Sequence, residues 1–342
     1  IQTKTYRNQR RRDLFSITTF IMPIIAQSKY NELVSGFYKN PHIATIYAGK
    51  FKRFKAPDYK REKIELYDGD FLTVDYKITN PNKAIILCHG LEGNSQRTYI
   101  NSCSDYFLKN NYSVFAWNNR TCSGEMNRLP QLYHHASIED LDAVVQFALS
   151  KEIKELYLIG FSMGGAQILN YLGREPQLND AIKAAVSVSV PIEIQVSADA
   201  LHKGFNQIYM KNFLIGLSEK LKLKAKQFPE LIDLHQLKRV KNFKDLDDNF
   251  TAPLHGFKDR FDYYYKVSPA RSLDAITKPV LILNALNDTF LGEGCFPVDV
   301  ASKSSNIFLE TPVYGGHCAF IVKESNYSFA EMRAFDFFES FK

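Results

Sequence analysis

Short apolar runs separated by polar, glycine-bearing loops recur along most of the chain, and their spacing predicts alternating strands and helices. Residues 64–67 and 71–76 alternate apolar and polar positions around Asp68-Gly69-Asp70, the pattern of two strands joined by a tight turn. Runs at 84–88, 112–117, 156–159, 184–190, 280–284 and 306–310 are too short for helices. They are rich in Val, Ile, Leu and Tyr, as strands covered on both faces are. Helical periodicity falls between them at 138–150, 166–173 and 327–341. Ser137 followed by Asp140 predicts an N-terminal cap for the first of these. Strands alternating with helices imply an α/β architecture, a mostly parallel central sheet with helices on both faces. Residues 191–271 break the rhythm with Lys-rich, helix-like sequence, which predicts a helical cap insertion over the sheet. Residues 1–61 lack the alternation and read as an irregular, partly helical arm, leaving 62–342 as the main domain.

Composition changes this picture mainly at the start of the chain. With 45% hydrophobic and 23% charged residues among 342, a disordered, collagen-like or disulfide-scaffold protein is excluded. The net charge of +6 is uneven: residues 1–61 hold 13 basic and 3 acidic side chains, the remainder 30 and 34. A slightly acidic body argues against a nucleic-acid surface, while the basic arm suits peripheral contact with a membrane. The apolar run from Leu14 to Ala26 follows Arg10-Arg11-Arg12 and so has the look of a secretory signal, a look that a basic amphipathic arm shares. It is too short to span a bilayer and is interrupted by Ser16, Thr18, Thr19 and Pro23. Five cysteines without a C-x-x-C pair fit a reducing compartment, and the cytoplasm is the expected location.

The chemistry is carried by Gly160-Phe161-Ser162-Met163-Gly164-Gly165, placed directly after one predicted strand and directly before a predicted helix. A G-x-S-x-G in that setting forms a sharp, strained turn that exposes the Ser hydroxyl at the helix N-terminus. A serine hydroxyl needs a base to become a nucleophile. His317 is the single histidine after residue 255, and it sits in a Gly-rich loop between the last strand and the last helix. Asp288 follows the preceding strand and is the expected acid, holding the His317 tautomer and stabilising its imidazolium. An ordinary imidazole titrates near ~6.5, so activity is expected to rise through neutrality.

An oxyanion hole needs two backbone N–H groups. Met163, next after the nucleophile, supplies one; Leu91, in His89-Gly90-Leu91-Glu92-Gly93 after an early strand, supplies the other, with His89 bracing the loop. His134 and His135 lack metal-ligand spacing and read as loop structure, and Asp247-Asp248 as caps or salt bridges ahead of a binding pair. With no H-E-x-x-H, Walker loop or G-x-G-x-x-G after a strand, no metal or cofactor is expected. Phe205, Ile208, Tyr209, Phe213, Leu214 and Leu217 recur at helical spacing, as a face covering an acyl chain or a face packed on the domain would.

The chain resembles the α/β-hydrolases, and within them the YheT-type hydrolases and the abhydrolase-domain lipases and ester synthases. Beyond the Ser, Asp and His residues, the likeness rests on Asn40-Pro41-His42, Asp68-Gly69-Asp70-Phe71-Leu72, Asn118-Asn119-Arg120, Cys122-Ser123-Gly124-Glu125 and Arg128-Leu129-Pro130. The stretch from Phe250 to Phe257 and Tyr263-Tyr264-Tyr265 extend it over the chain from about residue 35 onward. Thr121 stands where relatives usually carry Gly, and Asn287 where many carry a second Asp. The resemblance implies an α/β-hydrolase fold and cleavage of small-molecule or lipid acyl esters through an acyl-enzyme. An acyltransferase passing the acyl group to an alcohol, a peptidase and a non-catalytic binder on the same fold remain alternatives, and oligomeric state is open.

Overall fold

The computed structural model describes residues 23–25, 27–175 and 177–341. The Arg10-Arg11-Arg12 run and most of the apolar segment after it lie outside the described residues. Among the described residues nine strands form one sheet: β1 (Ile24–Ile25), β2 (Lys60–Glu65), β3 (Phe71–Lys77), β4 (Lys83–Cys88), β5 (Ser113–Asn118), β6 (Glu155–Phe161), β7 (Ile182–Val188), β8 (Val280–Leu283) and β9 (Ile307–Glu310). Their order is β1-β9-β8-β7-β6-β4-β5-β3-β2. The β2–β3 and β3–β5 pairs are antiparallel and the rest parallel. The predicted runs at 84–88, 112–117, 156–159, 184–190, 280–284 and 306–310 are β4 to β9, with ends that differ by at most two residues. β2 starts four residues before the expected strand because it is an edge strand, Lys-Arg-Glu-Lys-Ile-Glu, whose charged positions face water.

Helices cover both faces. We number them α1 (Pro41–Ile46), α2 (Thr98–Lys109), α3 (Ile138–Ser150), α4 (Met163–Arg174), α5 (Ile194–Leu201), α6 (Asn206–Gln227), α7 (Arg260–Val267), α8 (Val298–Lys303) and α9 (Phe329–Glu339). Leu141, Val144, Ile168 and Leu172 of α3 and α4 bury against Leu158 and Ile282 on one side of the sheet. Ile100, Phe107, Phe337 and Phe338 of α2 and α9 bury against Leu87 and Val186 on the other. The sequence does not signal α2, since its buried face includes Asn101, Ser102 and Ser104 and so lacks an apolar period. α3 begins where expected, but Ser137 does not cap it. The Ser137 hydroxyl donates to the His134 carbonyl instead, and Arg120 claims Asp140. A reciprocal capping box forms at α9, between Ser328 and Glu331.

Of residues 1–61, read from sequence as an arm, those that are described pack into the same body. β1 extends the sheet beside β9, β2 runs across the expected boundary at 61, and the buried Tyr30 hydroxyl donates to the Ile321 carbonyl at 3.1 Å. Two-residue β1 is too short to show alternation, which is why the pattern passes over it. Between β7 and β8 the insertion at 191–271 is helical. The long α6 buries Met210, Leu214, Leu217 and Leu221, whereas Phe205 and Ile208 of the expected apolar face are exposed.

Candidate active site

β6 runs into Ser162, and α4 starts at the next residue. The turn between them is tight. A Cβ at Gly164 would lie 2.3 Å from the Cys88 carbonyl oxygen, and one at Gly160 2.4 Å from that of Gly164. Ser162 itself takes φ 54° and ψ −120°, a conformation side-chain-bearing residues rarely adopt, and its N–H is held by the Val188 carbonyl at 2.8 Å. The strain points the hydroxyl away from the sheet toward the loop after β9.

There it meets His317, whose Nε2 lies 2.9 Å from Ser162 Oγ. The other ring nitrogen, Nδ1, lies 2.9 Å and 3.1 Å from the two carboxylate oxygens of Asp288, which is buried just beyond β8. The structure thus brings together the three residues the sequence singled out. Asp288 also accepts the Phe290 N–H at 3.0 Å, and the Phe290 ring stacks on the His317 imidazole with centroids 4.0 Å apart. Burial lowers the proton affinity of His317, but the facing Asp288 carboxylate together with the adjacent Cys318 sulfur outweighs it and pushes the imidazole up to about 10. A titration near neutrality, expected for a free imidazole, is therefore displaced upward.

Sequence reasoning missed the groups that hold the His317 loop. The His317 N–H donates to Thr45 Oγ1 at 2.9 Å, the Gly316 N–H to Asn287 Oδ1 at 3.0 Å and the Cys318 N–H to Ser189 Oγ at 2.9 Å. Thr45 lies in α1 and Ser189 just after β7, so no local spacing could have linked them to residue 317. Asn287, noted only as a departure from the family pattern, is one of these braces.

The turn Gly90-Leu91-Glu92-Gly93 closes with a Gly93 N–H to Gly90 carbonyl bond of 2.9 Å, and Glu92 takes φ 55°. A Cβ at Gly90 would come within 3.2 Å of Ser162 Cβ, so this loop lies directly against the hydroxyl. Among the described residues the Leu91 N–H has no protein acceptor. His89 braces the loop: Nδ1 bonds the Gly90 carbonyl at 2.7 Å and Nε2 accepts the Asn119 N–H at 3.1 Å, while burial drops its pKa to about 4. Glu92 seats its carboxylate in a notch on α6. Lys220 Nζ and Tyr133 Oη each lie 2.6 Å from Glu92 Oε1, and a Cβ at Gly216 would strike Oε2 at 2.4 Å. The insertion therefore grips the loop that carries Leu91. Thr121, nearby in sequence to the Asn119 brace, takes φ 66°, a region that favours glycine.

Ser162, Met163, Leu91 and His317 open into one cavity whose walls come largely from the insertion, including Phe213, Leu217, Leu221 and Phe243. His134, His135 and Asp247, read from sequence as loop or cap residues, also line it. His134 Nδ1 accepts the Ala136 N–H at 3.0 Å, His135 Nδ1 lies 3.1 Å from Tyr263 Oη, and burial keeps both imidazoles neutral. Asp247 accepts from Tyr264 Oη at 2.7 Å, and its neighbour Asp248 pairs with Arg260.

A mostly parallel sheet, a strained serine at a strand–helix turn and a histidine loop after the last strand define an α/β hydrolase. Residues 83–324 match the family model described as the alpha/beta hydrolase fold, and the chain belongs to that family. It is 30% identical over 294 residues to the protein YheT of Escherichia coli (strain K12), covering 83% of this chain and 85% of that protein. It is 32% identical to the phospholipase ABHD3 of Mus musculus, over 77% of this chain and 66% of the phospholipase, so it spans about two thirds of that relative. Among solved structures, the Pyrococcus furiosus esterase Pf2001 superposes with a TM-score of 0.54 at 17% identity, over 83% of this chain and 93% of the esterase. The relatives are thus of esterase and lipase type. No helix among the described residues is long and apolar enough to cross a membrane.

Proposed function

We propose that the protein is a serine hydrolase of carboxylic acyl esters, including lipid esters, working through an acyl-enzyme. The observation that carries this reading is the chain of contacts from Ser162 Oγ through His317 to Asp288, both steps 2.9 Å, at the floor of a largely apolar cavity. Ser162 attacks the ester carbonyl as His317 Nε2 takes its proton, and Asp288 stabilises the imidazolium. The Met163 and Leu91 N–H groups receive the oxyanion, and preorganised donors of this kind each contribute about 10²–10³ in rate. His317 then protonates the leaving alcohol, and water activated by the same imidazole releases the acid. Residues 191–271 act as the cap over the acyl chain, and five unpaired cysteines suit a reducing compartment such as the cytoplasm.

The test is hydrolysis of p-nitrophenyl esters of increasing acyl length, with fluorophosphonate labelling alongside. Turnover with labelling at Ser162 is expected, and Leu217→Trp should move the optimum to shorter chains by filling the cavity wall. Labelling without turnover would favour an acyltransferase, and the absence of both labelling and turnover would sink the reading.

The pH profile provides a second check. His317 acts as base only when neutral, and Asp288 raises its pKa, so kcat/KM should climb with loss of one proton at a midpoint above the ~6.5 of free imidazole. The same attraction stabilises the fold fully below about pH 6.5 and is lost as pH rises through the folded value. Asp288→Asn should lower the midpoint and cut kcat by about 10⁴-fold. A wild-type midpoint at or below ~6.5 would contradict the role given to Asp288.

A further inference from the structure

We propose that residues 36–55, together with the start of α6, form a docking face for an anionic lipid surface beside the His317 loop. The docking stands on its own observations; only the added claim that it supplies substrate rests on the esterase reading above.

The face is apolar where a protein surface is ordinarily polar. Phe37 is 82% exposed and Phe51 67%, and Ile43, Tyr47, Phe205 and Ile208 are exposed with them. They are contiguous. Phe37, Ile43 and Tyr47 line one shallow groove, Tyr47 stacks on Phe51, and His42, next to Ile43, lies 4.5 Å from the Phe205 ring. Exposed aromatics gathered in this way cost solvation and mark a surface built to be covered.

Charge identifies what covers it. Between Glu32 and Asp58 the chain has five basic residues and no acidic one, and between Asp199 and Glu219 it has Lys203 and Lys211 and no acidic one. Lys39, Lys50, Arg53 and Lys55 are exposed. From 51 to 55 the side chains alternate: Phe51, Arg53 and Lys55 face water, whereas Lys52 turns toward the buried Glu331 and Phe54 packs on Tyr327. Bulky exposed apolar groups interspersed along these two segments with exposed Lys and Arg, and with no carboxylate in either segment, match the acyl–headgroup boundary of an anionic bilayer.

The position connects docking to chemistry. α1 carries Thr45, which holds the His317 N–H, and a Cβ at Gly316 would strike the Pro41 carbonyl oxygen at 2.7 Å. Ring contacts run from His42 to Tyr209, on to Phe290 and on to His317, with centroids 5.9, 4.9 and 4.0 Å apart. A bilayer bound here lies against the elements that frame Ser162 and His317, so an ester can leave it close to the cavity.

The experiment is sedimentation of the full chain with vesicles of phosphatidylcholine alone or with added phosphatidylserine, using Phe37→Ser/Phe51→Ser, Lys50→Glu/Arg53→Glu and Arg10→Glu/Arg11→Glu/Arg12→Glu. Ser162→Ala is run in parallel, so that binding is read without turnover. Binding should require phosphatidylserine, survive Ser162→Ala, and fall by about tenfold or more in each of the first two variants. Hydrolysis of a soluble p-nitrophenyl ester should be unchanged in those two. Binding lost only in the Arg10–Arg12 variant would overturn the proposal by assigning the contact to the segment before residue 23. A dimer without vesicles that Phe37→Ser/Phe51→Ser dissolves would overturn it in favour of a second copy. Equal binding to both vesicle types would overturn the electrostatic part.

Discussion

Replacing Ser162 by alanine is expected to lower ester turnover by about 10⁴–10⁶-fold with the fold intact. No other hydroxyl is within hydrogen-bonding distance of His317 Nε2 among the described residues. Glycine separates chemistry from strain. Ser162 sits at φ 54° and ψ −120°, which glycine accepts without a Cβ penalty. Ser162→Gly should therefore abolish turnover and raise the unfolding temperature by a few degrees, since relieved strain of this kind is worth about 1–3 kcal/mol. Turnover and thermal unfolding measured on both variants provide the check. Retained hydrolysis in either would remove Ser162 from the role of nucleophile.

The second large effect concerns stability. Arg120 is the hub of a nearly buried cluster. Its guanidinium lies 2.7 Å from Asp68, 3.2 Å from Asp70 and 2.7 Å from Asp140. Asp70 also accepts the Phe71 and Arg128 N–H groups at 2.9 and 2.8 Å, tying the β2–β3 turn to the loop after β5. Arg120→Met should cost about 3–5 kcal/mol in urea unfolding at neutral pH, because it strips the buried Asp140 and Asp70 carboxylates of the guanidinium they pair with. Burial already holds the Asp140 pKa above its ordinary value, against the opposing pull of Arg120. A group with a raised folded pKa loses stability as pH rises, so the deficit of the variant should shrink as the medium is acidified. A loss under about 1 kcal/mol, or one that grows on acidification, would refute this account of the cluster.

How much of this was legible in the sequence depends on range. The strands buried on both faces announced themselves, because a sheet covered by helices needs continuous apolar runs. The serine turn was equally plain, since strand, glycine, serine and helix are contiguous there. Asp288 and His317 could be assigned because each directly follows a strand that the pattern had located. The misses share a cause. β1, α2 and the packing of residues 23–61 depend on partners far along the chain, such as Leu309 for Ile24 and Ile321 for Tyr30. Asp140 looked like a cap residue because it lies three positions after Ser137, yet an arginine 20 residues away holds it.

The sequence by itself determined the fold class and the strand–serine–helix turn, and it placed Asp288 and His317 in the loops after later strands, because these follow from local periodicity and backbone sterics. Only the tertiary structure decided which groups brace the site, how far Asp288 displaces the His317 titration, and which side of α6 faces the cavity. Hydrogen bonds, desolvation and electrostatic fields act over a few ångströms of space, whatever the separation along the chain.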